Sequence, residues 1–165
     1  MEYQRKQTTE IAKQLCKSHL RDAMRENFGD VIWLLNLFLM PLVERVDPHV
    51  HYALQELQTA NFVLPWIITW FTHDIYNPVI AGRLADAFLA GHPLLPMYFA
   101  IALLTHPVLK ETFLQADSDD MATLFVTLKA LPKSIDSDLL TPSQRQQFQH
   151  KVPVQELLED SLTIM

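Results

Sequence analysis

To reverse direction, this chain of 165 residues has only Gly29, Gly82 and Gly91. Tight β-hairpins depend on glycine at turn positions whose backbone conformation a Cβ opposes, so a sheet-rich fold is poorly served here. Helices need little glycine and are punctuated by proline, and the ten prolines fall at segment edges. Apolar residues recur at three- and four-residue spacing, the period of one helix face. The expectation is an all-α fold, an irregular multi-helix domain of about eight to ten helices.

The pattern places these helices in order. A first helix is expected over about residues 9–27, with Ile11, Leu15, Cys16, Leu20, Ala23 and Met24 on one stripe, Gly29 ending it and Asp30 capping the next. The following segment, VIWLLNLFLMPLVERV, is apolar on nearly all sides and predicts a central helix surrounded by others. Asp47 before Pro48 predicts an N-cap, and Asn77 before Pro78 predicts another. Between them, LPWIITWFTHDI has Asn61 available upstream as a cap and Pro65 in its first turn. Trp66 and Trp70 then fall at i and i+4 on one face. The next helix turns Ile80, Leu84, Ala87 and Phe88 inward and closes at Gly91, and an apolar helix runs on to His106 and Pro107. A short helix over about residues 108–115 follows, then the DSDD cap at 117–120 and the helix MATLFVTLKAL. Beyond Pro132 the chain is polar and broken, with helices opening at TPSQRQQF and PVQELLEDSL.

Composition bounds the function. Apolar residues make up 49% and charged residues 19%, which allows one well-filled core and suggests a large partner surface. A net charge of -6 argues against a nucleic-acid binder, which needs a dominant basic face. Cys16 alone offers neither a disulfide framework nor a multi-cysteine zinc site, and the polar start MEYQRKQTTE shows no secretory leader, so a reducing, cytoplasmic setting is expected. The apolar runs at 31–43, 62–71 and 94–104 fall short of the roughly 20 residues that span a bilayer, so no transmembrane segment is expected. His49 and His51 are two apart, on different sides of a helix, and no metal or phosphate motif occurs. No metal and no cofactor are expected. Two polar groups remain as candidates for contact with a partner: His73 with Asp74 at the polar end of the aromatic helix, and Arg83, which can pair with Asp86 at i+3.

NFVLPWIITWFTHDI followed by RLADAFLAGHPLLPMYFAIALL resembles the C-terminal half of a TBC domain, the helical domain of Rab GTPase-activating proteins. That family has an aromatic-rich helix, an R-L-[WY]-D helix and an apolar P-L-x-x-x-Y helix in this order. Further words resemble its branch associated with the endoplasmic reticulum: H-L-R-D at residues 19–22, L-N-x-x-x-M-P at 35–41, I-T-W-F at 68–71 and HPL-P-Y-F within 92–99. The resemblance covers roughly residues 18–131 and implies a C-terminal TBC lobe over 1–131 with a polar helical extension of the same domain over 132–165. Ala85 departs from it, standing where the family has Trp or Tyr.

The resemblance also implies a mechanism whose parts are not matched. The family's arginine and glutamine come from I-x-x-D-x-x-R and Y-x-Q motifs that precede the matched region. Asp22 and Arg25 supply D-x-x-R, but His19 stands in place of the isoleucine and belongs to the later H-L-R-D word. Tyr52 and Gln55 give only Y-x-x-Q, followed by Glu56. Both are decoys on this reading. The chain is therefore expected to bind or regulate a Rab-type GTPase without activating it alone. It would pair with a missing N-terminal lobe, or with a second copy, through an exposed apolar face. The expected location is the cytoplasm, peripheral to endoplasmic reticulum or Golgi membranes, with no membrane anchor expected in the ending LEDSLTIM. The alternatives are a helical scaffold that contacts no Rab and, from the apolar runs alone, a membrane-surface protein.

Overall fold

The computed structural model describes residues 2–57, 59–115, 121–136 and 152–165. Among them are nine α-helices: α1 (Glu2–Lys17), α2 (Gly29–Val46), α3 (Pro48–Gln55), α4 (Leu64–Ile68), α5 (Pro78–Ala90), α6 (Leu95–Thr105), α7 (Pro107–Leu114), α8 (Met121–Ala130) and α9 (Val154–Ile164). Short 3-10 turns lie at Asp22–Met24 and Leu131–Ser134. Strands β1 (Ile135–Asp136) and β2 (Val152–Pro153) pair in parallel, Ile135 opposite Val152, and deliver the chain to α9. The all-α expectation holds, with this small pair as an addition. The expected DSDD cap and TPSQRQQF helix lie outside the described residues.

The centre of the fold is α6. Nine of its eleven residues are buried, from Leu95 through Leu104 with only Tyr98 and Thr105 less covered. Helices α2, α4, α7 and α9 pack against it, and α9 contributes Val154, Leu157, Leu158 and Ser161 to the buried layer. An aromatic layer sits beside them: Phe71 meets Phe99 edge-on at 4.9 Å and stacks on Trp66 at 5.9 Å, while Phe88 closes on Phe99 at 5.8 Å. Such pairs add roughly 0.5–1.5 kcal/mol each beyond the area they bury.

Local chemistry sets the joints. The Asp47 carboxylate accepts the His49 and Val50 N–H groups at 3.0 and 3.2 Å, opening α3, and accepts Lys110 Nζ from α7 at 2.7 Å. Burial alone would raise its pKa; the Lys110 hydrogen bond, the two backbone N–H groups and the Lys110 charge outweigh this and hold the carboxyl below its usual range. Asn77 caps α5 through Val79 N–H at 3.0 Å. Buried His106 takes Val108 N–H on Nδ1 at 3.2 Å, which leaves Nε2 to carry the proton and donate to Glu156 of α9 at 3.1 Å. At the end of α5, a Cβ on Gly91 would lie 2.7 Å from a Leu95 methyl and 2.8 Å from the Ala87 carbonyl, so only glycine lets α6 start this close.

Four expectations are corrected. The first helix stops at Lys17, where Ser18 Oγ bonds back to the Gln14 carbonyl and Leu20 N–H reaches Leu15, and none of its residues is buried. Gly29 opens α2 instead of ending α1; Asn27 Oδ1 accepts its N–H at 2.9 Å, and Asp30 turns to Arg25 instead of capping. The segment expected to be surrounded is amphipathic: Val31, Leu35, Leu39 and Val43 are buried, whereas Trp33 stays 64% exposed and Leu37 49%. Finally, α4 ends at Ile68 with no side-chain cap from Asn61, so Trp70 does not share a helical face with Trp66.

Candidate partner-binding surface

The end of α4 explains that last correction and shapes the surface beside it. Phe71 N–H reaches the Trp66 carbonyl at 2.7 Å and Trp70 N–H the Ile67 carbonyl at 3.3 Å, the paired bonds of a Schellman helix end. That motif puts its first residue past the cap in the left-handed region, where glycine is usual. Here Trp70 occupies it with φ 49°, and Phe71 follows with φ 65°. Each such residue costs on the order of 1–3 kcal/mol and persists only where surrounding contacts impose it. The contacts are visible: Phe71 is buried against Phe99, and Trp70 lies edge-on to Phe88 and to His19, both at 5.8 Å.

Trp70 forms one wall of a groove of about 520 Å³. Its floor comes from α2, α4 and the start of α6, through Leu34, Ile68 and Met97, and its rim comes from Lys17, His19 and Arg21. A shelf of about 310 Å³ continues past Arg21, Val31 and Leu34 to Arg25, Asp30 and Trp33. The Arg25 guanidinium donates to the Asp30 carboxylate. On the outer side of α2, Trp33, Leu37 and Pro41 form one row at i, i+4, i+8, and Leu34 with Phe38 forms the next.

The polar candidates lie elsewhere. His73 is exposed beside the largely covered Asp74, Nδ1 to Oδ1 3.4 Å. Asp74 lines a separate pocket of about 230 Å³ with Tyr76, Ile80 and Lys133, and neither His73 nor Arg83 is part of that lining. Arg83 donates from α5 to Gln155 Oε1 at the start of α9. The structure thus brings His73 and Asp74 together and engages Arg83 with α9. Of the finger decoys, Tyr52 is exposed on α3 and Gln55 meets His51 at 3.4 Å; neither lines the shelf that holds Arg25. Sequence reasoning missed the groove altogether, although two apolar rows on α2 outside the core stripe were a signal for it.

Among the described residues no helix is long and apolar enough to cross a membrane. The model of the Rab-GTPase-TBC domain family matches residues 1–114. The chain is similar to TBC1 domain family member 20 of Mus musculus and of Homo sapiens, each 34% identical over 133 residues, covering 80% of this chain and 32% of the relative. It is also similar to the GTPase-activating protein gyp10 of Schizosaccharomyces pombe, 33% identical over 79 residues, covering 48% of this chain and 21% of the relative. The chain thus spans about a third of the TBC1 relatives and less of the fission-yeast one. With the family match running through α7 and the aromatic and R-L-x-D words set on adjoining helices of one core, this chain belongs to the Rab-GTPase-TBC domain family.

Proposed function

We propose that this chain is a Rab-binding or Rab-regulating module that does not accelerate GTP hydrolysis by itself. The family match over residues 1–114 carries the Rab assignment. The contact between Arg25 and Asp30 supports the second half of the statement, because an arginine finger must offset charge on the transferring phosphoryl group. Gln55, turned to His51 on exposed α3, supports it too. On this reading residues 1–131 are the C-terminal lobe and 132–165 an extension of it, which the packing of α9 along α6 favours. His73, Asp74 and Arg83 contribute to partner contact, and the exposed rows of α2 meet an N-terminal lobe or a second copy. The module works in the cytoplasm, at the periphery of endoplasmic reticulum or Golgi membranes.

Two measurements test this. Pull-down of a panel of GTP-loaded Rabs by the chain is expected to retain at least one of them; retention of none leaves the scaffold reading. Single-turnover hydrolysis on the retained Rab is expected to stay at its intrinsic rate, against the about three to five decades an arginine finger supplies. Acceleration that disappears in Arg25→Ala would overturn the decoy assignment.

A further inference from the structure

We propose that Gln155 and Glu159 of α9 are positioning residues that set the direction of Arg83 for contact with the Rab. The proposal rests on the Rab-module reading above, in which Arg83 is a contact residue, and adds what aims it. Arg83 is exposed on α5, one turn after exposed Val79 on the same side of the helix. Arginine loses more rotamer freedom than most side chains when a partner orders it. A guanidinium ordered beforehand avoids that loss and binds more tightly.

The relay has two bonds. Arg83 donates to Gln155 Oε1, and Gln155 Nε2 donates to Glu159 Oε1 at 2.7 Å, one turn further along α9. Chemistry decides which way the amide points: an ionised carboxylate only accepts and a guanidinium only donates, so Nε2 faces Glu159 and Oε1 faces Arg83. Each bond has a charged member, which makes it stronger and more directional than a neutral pair. The backbone under the relay is fixed on both sides. Leu84, next to Arg83, is fully buried, while Val154, Leu157 and Leu158 seat α9 on α6. Glu156 accepts from His106 Nε2 at 3.1 Å, which ties the first turn of α9 to the end of α6 as well. Both relay bonds lie at the exposed surface, where such contacts add little to stability, so their main effect is on where Arg83 points.

Two measurements on the full chain test this, with circular dichroism confirming that each variant is folded. The first is the affinity for the GTP-loaded Rab retained in the pull-down. Arg83→Ala is expected to weaken it about tenfold, Gln155→Ala about threefold and Glu159→Ala less. Because Gln155 acts through Arg83, the double variant Arg83→Ala with Gln155→Ala should bind no more weakly than Arg83→Ala alone, a coupling that a merely structural role would not produce. The second is the nitrogen-15 relaxation of the Arg83 Nε–H group, identified by its loss in Arg83→Ala and read without any Rab. It is expected to report an ordered side chain in the wild type and a mobile one in Gln155→Ala. An Arg83 signal equally ordered in Gln155→Ala overturns the proposal, as does unchanged Rab affinity in that variant or full additivity in the double variant. Retention of no Rab by the wild-type chain overturns the reading beneath it and the proposal together, even where the Arg83 signal responds to Gln155→Ala.

Discussion

Helices α2 and α6 are both long apolar runs interrupted by little charge, and they end in different places. In α6 every side is covered, by α2, α4, α7 and α9. In α2 the stripe Val31, Leu35, Leu39 and Val43 is covered, whereas Trp33, Leu37 and Phe38 beside it stay exposed. An apolar run therefore states that a helix needs neighbours on several sides, without stating that one chain supplies them all.

The comparison breaks most visibly in the core. Phe99→Ala on α6 removes a fully buried ring that touches Phe71 and Phe88, and should lower unfolding free energy by about 3–5 kcal/mol in urea titration. A loss no larger than that of an α2 surface variant would sink the distinction.

Next in size is the joint that ties the start of α3 to α7. Asp47→Ala removes the α3 cap and leaves Lys110 without its carboxylate, for an expected loss of about 2–3 kcal/mol at neutral pH. The Asp47 pKa is lower in the folded chain than that of an ordinary aspartate. Its contribution is therefore complete above the unfolded pKa and fades as pH falls through the folded one. Wild type and variant should converge in stability as the titration is repeated toward pH 3 and below, within the about two units in which carboxylates protonate; a constant gap would show that the charge is not the cause.

The turn that ends α4 gives a smaller effect. Trp70→Gly and Trp70→Ala both lose the ring, but only glycine relaxes the left-handed backbone, so the glycine variant should be the more stable by about 1–2 kcal/mol. Equal melting would mean that this backbone conformation is not strained. Smallest is Trp33→Ser, where the ring is exposed: stability should change by no more than about 0.5 kcal/mol in the same urea titration.

What was legible in the sequence was local. Asp47 with Pro48 and Asn77 with Pro78 declare helix starts through a side-chain oxygen and a fixed φ, needing nothing distant, and both caps are present. The Trp66/Trp70 face failed because spacing assumes that the helix continues, whereas Phe88, Phe99 and His19 hold residues 70 and 71 in a helix end. Burial of α2 and α6 was not separable for the same reason: it depends on α9, about fifty residues beyond α6. The groove was invisible because residues 17–34, 67–70 and 93–97 meet only in the fold. His73, Asp74 and Arg83 were found as polar groups beside apolar stripes, a pattern that marks an edge without naming what meets it.

Helix α1 carries a consequence of its own. None of its sixteen residues is buried, Leu15 is only half-covered, and the Glu2–Lys6 and Glu10–Lys13 pairs at 3.3 and 2.8 Å lie within the helix itself. A helix so held opens at almost no cost, since isolated helices of about this length are marginal in water. Its amide protons should exchange with deuterium far faster than those of α6, without any other element opening, so that the protein unfolds as one cooperative body plus a nearly independent arm.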